Sequence, residues 1–125
     1  MSYVLGVDLG TTAIKAAVFD GSGAEVASYT AEYSLITDQP GYVELEAQTY
    51  VDTFRRAVDQ VLTAPVGDAA SIAALGLSAQ GETLLCLGPD EQPLRRVIVW
   101  MDNRATAEAE EIEAHFGRET VHATT

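Results

Sequence analysis

An early segment of the sequence combines the residue types that a metal-bound phosphate requires. Asp8 ends a short apolar run, and its carboxylate can hold Mg²⁺ directly or through water. Gly10 lets a phosphate approach the main chain, Thr11 and Thr12 offer hydroxyl and N–H donors, and Lys15 adds a cation. Phosphoryl transfer depends on such groups because its catalysis is mostly positioning and charge neutralisation. These five residues therefore predict a phosphate site, with Asp8 as the metal ligand.

The simpler interpretation of this loop is a polar hairpin turn. Two features favour phosphate binding. A buried strand precedes the loop, and Lys15 lies on the next strand, which runs into an Asp-Gly hairpin signal at Asp20. Because the loop joins two strands and no helix follows it, it is neither a Walker loop nor a Rossmann fingerprint.

A second group of polar side chains follows a later apolar run. Gln80 and Glu82 flank Gly81, which keeps the backbone of this loop open. A carboxamide and a carboxylate can each bridge adjacent hydroxyl groups, so the segment is suited to a polyhydroxylated ligand. The alternative for Glu82 is an ordinary solvated loop residue. We predict that all three residues bind the substrate.

A third segment places an aromatic ring beside an acid and a guanidinium. The ring of Trp100 can pack on the C–H faces of a sugar, while Asp102 and Arg104 take its hydroxyls. Each residue also has a structural alternative. Trp100 can be a core or edge residue, and Asp102 and Arg104 can begin an acidic helix that Asp102 helps to cap. We predict a substrate-binding role for the three together.

Apolar patterning predicts the elements that must position these residues. The first third should form a meander of three antiparallel strands, Tyr3–Val7, Ala13–Phe19 and Ala24–Tyr33. Helical spacing then predicts a helix over Gln48–Leu62, starting near Glu46 and stopping before Pro65.

The second half alternates short apolar runs with one further helix. We predict strands at Ile72–Leu77, buried, and at Thr83–Leu87 and Val97–Trp100. A helix should follow from Asn103 as N-cap to His115, with Gly117 just past its end. The order of elements indicates an α/β fold, a mixed sheet with helices against it.

The motifs together resemble one known family. Residues 4–23 resemble the opening hairpins of the superfamily of sugar kinases, heat-shock chaperones and actin. Three blocks, Asp8–Lys15, Gly76–Thr83 and Pro93–Arg104, together with Gly41–Glu44, are similar in order to the FGGY carbohydrate kinases. Chaperone ATPases are not expected to carry the block around Trp100, so an actin- or chaperone-like nucleotide-binding module is the weaker alternative.

The resemblance implies a ribonuclease H-like (actin-like ATPase) fold, here an incomplete domain, with ATP and Mg²⁺ as cofactors. Residues 1–125 resemble the N-terminal part of the first, substrate-side domain of such a kinase. The family's general-base aspartate and its C-terminal ATP domain are expected beyond Thr125, so we expect no activity from this piece alone. Gly81 stands where glycerol kinases carry arginine, and Gly81 and Glu82 stand where xylulokinases carry methionine and histidine. The space at Gly81 suits a longer polyol or a ketose such as a pentulose.

The composition of the chain argues against some classes of binding partner. The chain has 19 Asp plus Glu against 7 Lys plus Arg, a net charge of -12, which repels nucleic acids and anionic membranes. Cys86 is the single cysteine, so no internal disulfide can form, and a cytoplasmic location is expected. Cys86 itself fits a small core residue. Unpaired strand edges predict a homo-oligomer, or association with the remainder of a longer kinase chain.

Overall fold

The computed structural model describes residues 2–63 and 69–124. Its strands are β1 (Tyr3–Leu9), β2 (Ala13–Phe19), β3 (Glu25–Glu32), β4 (Glu44–Leu45), β5 (Ile72–Ala79) and β6 (Val97–Ile98). Its helices are α1 (Ala47–Leu62), α2 (Thr106–Phe116) and α3 (Arg118–Thr124), with a short 3₁₀ helix at Ala69–Ser71. Four strands form one sheet in the order β3-β2-β1-β5, and β4 pairs with β6.

The first three strands form the predicted antiparallel meander, and β5 lies parallel to β1 on its other side. The predicted mixed sheet is therefore confirmed. At the second turn, the carboxylate of Asp20 accepts hydrogen bonds from the backbone N–H groups of Ser22 and Ala24, at 2.8 and 3.1 Å. An Asp side chain that binds the backbone in this way is the reason why Asp-Gly segments turn so reliably.

Alternation along β1 and β2 builds the main core. Leu5, Val7, Ile14 and Val18 point to one face of the sheet and are buried. Helix α1 covers this face with its own buried stripe, which includes Ala57 and Val61. The boundaries of α1 confirm the predicted helix, and Glu46 precedes its first residue. The predicted stop signal, Pro65, lies outside the described residues.

A smaller second core lies beside the first. Leu45, Val97 and Val99 are almost completely buried and pack together around the short pairing of β4 with β6. Tyr33 and Tyr50 contact both cores, so their rings join the two clusters. This arrangement holds the segment before Trp100 against the sheet domain.

The prediction of a strand at residues 72–77 is confirmed, but the prediction that this strand is buried is wrong. The strand exists as β5, but the side chains of Leu75 and Leu77 are 50% and 61% exposed. Their partners in register on β1, Leu5 and Val7, lie beneath α1 and are buried. Since α1 contacts mainly β2 and β3, it leaves β5 uncovered at the edge of the sheet.

The predicted strand at Thr83–Leu87 is also wrong. Only isolated bridges occur there, between Leu84 and Ile98 and between Leu87 and Pro93. The two bridges are three residues apart on one segment but five apart on the other, so they lie in different registers and no continuous ladder joins them. The predicted strand at Val97–Trp100 shortens to β6, because the chain turns at Trp100. Cys86 is half-buried.

The second predicted helix begins later than expected. Asn103 does not cap it, because its side chain donates to the carbonyl of Met101 at 3.1 Å while α2 starts at Thr106. Gly117 ends α2 as predicted, with a φ of 81° that favours glycine. Helix α3 was not predicted. It packs against α2, and neither of these helices contains a buried residue.

Candidate functional site

The loop between β1 and β2 is held in place through the carbonyl of Gly10. This oxygen accepts a hydrogen bond from the hydroxyl of Tyr33 and lies 3.5 Å from the amide nitrogen of Gln80. Burial and the neighbouring Tyr50 raise the pKa of Tyr33, so its hydroxyl stays protonated and can donate. A Cβ at Gly10 would lie 2.9 Å from the carbonyl oxygen of Ala13, so the tight turn requires glycine here.

Gln80 also contacts the loop between β1 and β2, and it contacts Tyr50 as well. Its backbone N–H donates to the carbonyl of Leu9 at 3.1 Å, and its amide nitrogen donates to the hydroxyl of Tyr50 at 2.6 Å. Its amide oxygen is buried and has no hydrogen-bond partner among the described residues. A buried acceptor of this kind normally finds a donor, so this oxygen is a candidate for a ligand hydroxyl.

Five predicted residues meet in one cleft of about 450 Å³. They come from the loop after β1, from the loop after β5 and from the turn after β6, and they are Thr11, Gln80, Gly81, Glu82 and Trp100. Because β1 and β5 are parallel neighbours, their carboxyl ends lie at the same edge of the sheet, and this brings the first two loops together. The cleft thus joins part of the predicted phosphate loop to the predicted substrate segments. Thr12 is exposed beside it, and its carbonyl accepts the N–H of Tyr33 at 3.0 Å.

Trp100 forms one wall of this cleft and is 51% exposed. Its indole Nε1–H donates to Thr11 Oγ1 at 2.9 Å, and its backbone N–H donates to Thr83 Oγ1 at 3.2 Å. Glu82 faces the cleft with a φ of 61°, in the left-handed region that costs a non-glycine residue on the order of 1 kcal/mol. Such conformations occur often at ligand-binding sites.

Asp8 and Lys15 lie on the sheet face that points away from α1, where they are partners in register on β1 and β2. They line a second cavity of about 440 Å³ together with Ser78 and Glu25, and the Lys15 ammonium lies 3.9 Å from the Glu25 carboxylate. The described residues contain no cluster of three or more potential metal ligands. The single carboxylate of Asp8 fits Mg²⁺, which proteins usually bind through one or two carboxylates plus phosphates and water.

Asp102 and Arg104 lie in neither cavity and are engaged with each other. Two hydrogen bonds of 2.7 Å join the guanidinium of Arg104 to the carboxylate of Asp102, and a third of 2.7 Å joins it to Glu44. Asp102 also accepts the backbone N–H of Val43 at 2.6 Å. The Arg104 guanidinium lies 3.8 Å from the centroid of the Tyr42 ring, a cation–π contact.

The electrostatics of this ion-pair cluster follow from its geometry. The hydrogen bonds from Arg104 hold the pKa of Asp102 and of Glu44 below their usual values, and the two carboxylates raise the pKa of Arg104. The side chains of Asp102 and Arg104 are only 2% and 17% exposed. The cluster therefore ties the segment after Trp100 to the strand that carries Glu44.

Three residues of the site were not predicted individually from the sequence, namely Tyr33, Tyr50 and Glu44. Tyr33 and Tyr50 read as apolar positions of a strand and a helix, although their hydroxyls contact Gly10 and Gln80. Their two rings meet edge to face, with centroids 5.6 Å apart. The only sequence signal was that both are tyrosine, whose hydroxyl usually has a partner when buried. In the sequence, Glu44 is the last residue of the Gly41–Glu44 motif and has no separate signal.

Comparison with known proteins shows which family this chain resembles. The profile described as "FGGY family of carbohydrate kinases, N-terminal domain" matches residues 3–125. The chain is 34% identical over 125 residues to glycerol kinase of Haloferax volcanii, covering 99% of this chain and 24% of that protein. It is 32% identical over 117 residues to xylulose kinase of Bacillus subtilis, covering 94% and 23%.

A solved structure agrees with these matches. Ligand-bound xylulose kinase of Lactobacillus acidophilus superposes with a TM-score of 0.90 at 28% identity, covering 98% of this chain and 24% of that one. This likeness confirms the predicted ribonuclease H-like, actin-like ATPase fold as an incomplete domain. The chain spans about a quarter of the length of the relatives that it matches. The family match also decides against the chaperone-like alternative: the chain belongs to the FGGY family of carbohydrate kinases.

Proposed function

We propose that this chain is the substrate-side, N-terminal part of a kinase that transfers a phosphoryl group from ATP to a hydroxyl of a polyol or pentulose. The observation that carries the proposal is the shared cleft, in which Thr11 of the phosphate loop faces Glu82 and Trp100. A phosphoryl donor and an acceptor alcohol must meet within a few ångströms, and this cleft brings groups suited to each of them together. The proposal assigns the role of general base to none of the described residues.

Each residue of the predicted phosphate site has a role in the proposed function. Gly10, Thr11 and Thr12 contact ATP phosphates through the backbone and hydroxyl groups of a loop that Tyr33 holds in place. Asp8 holds Mg²⁺ and Lys15 compensates phosphate charge, since both lie at the same register position of β1 and β2. The ion would neutralise charge on the transferred group.

The substrate side rests on Gln80, Gly81, Glu82 and Trp100. The Glu82 carboxylate and the unpaired amide oxygen of Gln80 accept substrate hydroxyls, and the exposed face of Trp100 packs on C–H groups. A Cβ built on Gly81 meets nothing within 4 Å, so the space beside it is open. That open space favours an acceptor longer than glycerol.

Asp102 and Arg104 contribute indirectly in this proposal. Their polar atoms are committed to each other, to Glu44 and to the backbone of Val43, which leaves little capacity for substrate hydroxyls. We assign them the role of fixing the turn that carries Trp100. Names of the relatives, glycerol kinase and xylulose kinase, support both acceptor classes.

The test compares this chain with the product of its complete reading frame. We expect that the 125-residue chain shows no sugar-dependent ATP turnover, and that the longer product phosphorylates a pentulose or polyol. In the longer product, Glu82→Gln should lower kcat/KM about 100-fold, because a charge-assisted hydrogen bond to the substrate is lost. Glu91→Gln is the matched control, since Glu91 is exposed and has the same φ of 61°. Turnover by the short chain, or equal effects of the two variants, contradicts the proposal.

A further inference from the structure

The hydrogen bond between Trp100 and Thr11 joins two parts of the chain that are anchored in different cores. Trp100 directly follows Val99, which is fully buried in the second core. Thr11 directly follows Gly10, whose carbonyl is held by Tyr33 beside the main core. The 2.9 Å contact from Trp100 Nε1 to Thr11 Oγ1 is therefore a direct side-chain bond across the cleft between the predicted substrate wall and the phosphate loop.

The chemistry of the two groups fixes the direction of this bond. An indole nitrogen can only donate, so the Thr11 hydroxyl must act as the acceptor. The hydroxyl can then donate its own proton to a second partner. Because a lone pair of the oxygen faces the indole N–H, the O–H bond must point away from the indole. An anionic oxygen that accepts this proton would polarise the hydroxyl and strengthen the bond from the indole.

We propose that Trp100 is a positioning residue for the phosphate loop, and that its indole N–H orients the Thr11 hydroxyl towards a phosphate oxygen. This inference rests on the proposed kinase function. A substrate that packs on the Trp100 ring holds the indole in place and so favours the oriented hydroxyl. By linkage, a phosphate on Thr11 must favour substrate binding to the same degree. Trp100 thereby acts beyond its role as an apolar wall.

The bond can be measured in the 125-residue chain, because Trp100 is its single tryptophan and gives one indole N–H resonance. We expect solvent exchange of this proton to be about tenfold faster in Thr11→Val, which keeps the shape of the side chain but removes the acceptor. Thr11→Ser keeps the hydroxyl and should stay within about twofold of the parent. Amide resonances of β1 and β2 report whether each variant folds. Equal exchange in all three proteins overturns the inference.

Coupling is tested by a double-mutant cycle in the product of the complete reading frame. Trp100→Phe keeps an aromatic face but has no N–H, so we expect the KM for the sugar to change less than about threefold while kcat falls about tenfold. Thr11→Val should lower kcat similarly, and the double variant should be no slower than either single one. Losses that multiply would mean that the two residues act independently, which contradicts the proposal. An inactive parent refutes the kinase function but leaves the exchange measurement valid.

Discussion

Arg104 is bound by three oxygen contacts and one aromatic face, which is the environment of a structural arginine. Its guanidinium joins Asp102 and Glu44, two residues far apart in the sequence. A planar guanidinium that binds one carboxylate through two nitrogens is fixed in orientation as well as in place. At the scale of the residue, Asp102 and Arg104 therefore bind each other and Glu44, and they hold the turn next to Trp100.

Asp102→Asn should destabilise the chain, and the loss of unfolding free energy should depend on pH. Because the pKa of Asp102 is lowered in the folded chain, its contribution to stability is fully present above the ordinary aspartate value of about 3.9 and is lost as the pH falls below it. We expect the variant to lose about 3 kcal/mol of unfolding free energy at pH 7. Urea unfolding at pH 7 and at pH 3 measures the loss, which should be smaller at pH 3.

The exposed residue Asp59 provides the control for this experiment. Asp59→Asn should change the unfolding free energy by less than about 0.5 kcal/mol at neutral pH, as surface substitutions usually do. If Asp102→Asn is no more destabilising than this control, Asp102 is not part of a stabilising cluster.

Residue types alone could identify most of the cleft but not its internal contacts. Thr11, Glu82 and Trp100 were predictable because their chemistry suits a phosphate or a polyol, and the structure brings them together. Composition and spacing do not show which side chains satisfy one another. Asp102 and Arg104 looked like free ligand groups until their partners, Glu44 and the backbone of Val43, were known.

At the scale of the element, burial decided which predictions were correct. The meander and α1 were predictable because their apolar residues alternate or recur with a clear period. The run at residues 83–87 is apolar too, yet Leu84, Leu85 and Leu87 are each at least 44% exposed. A short apolar run cannot reveal whether a neighbouring strand pairs with it in one register, and here the two bridges lie in different registers.

Helix α1 should depend on its buried stripe far more than on its outer face. Val61 is 2% exposed and packs in the main core, whereas Val51 on the same helix is 42% exposed. We expect Val61→Ala to cost about 2 kcal/mol of unfolding free energy, because it leaves a cavity under the helix. Val51→Ala should cost less than about 0.5 kcal/mol. Thermal or urea unfolding of the two variants checks this, and similar losses would show that α1 does not pack as described.

At the scale of the whole molecule, the sheet ends at β5, beside which no further strand lies among the described residues. Leu75 and Leu77 of β5 are exposed on the side of the sheet that α1 covers elsewhere. An uncovered apolar strand with a free edge favours pairing with another chain or with further sequence of the same chain. None of the helices among the described residues is long and apolar enough to cross a membrane.

Leu77→Lys should reduce self-association of the 125-residue chain. A lysine on an edge strand opposes edge-to-edge pairing, because burial of its charge is costly. Analytical ultracentrifugation across a concentration series should show oligomers of the parent chain and a shift towards monomer in the variant. Leu94→Lys is the matched control, since Leu94 is 70% exposed but lies outside the strands. A parent that stays monomeric at every concentration contradicts the prediction.

The parallel pairing of β1 with β5 also has a kinetic consequence. The antiparallel hairpins of the first three strands join residues close in sequence and can form on the order of microseconds. Three strands (β2, β3 and β4), helix α1 and the short 3₁₀ helix lie between β1 and β5 in the sequence, so the pairing of these two strands must close a large loop. We therefore expect the meander to fold early during synthesis. The cleft, which needs Gln80 and Trp100, would form only after most of these residues have left the ribosome.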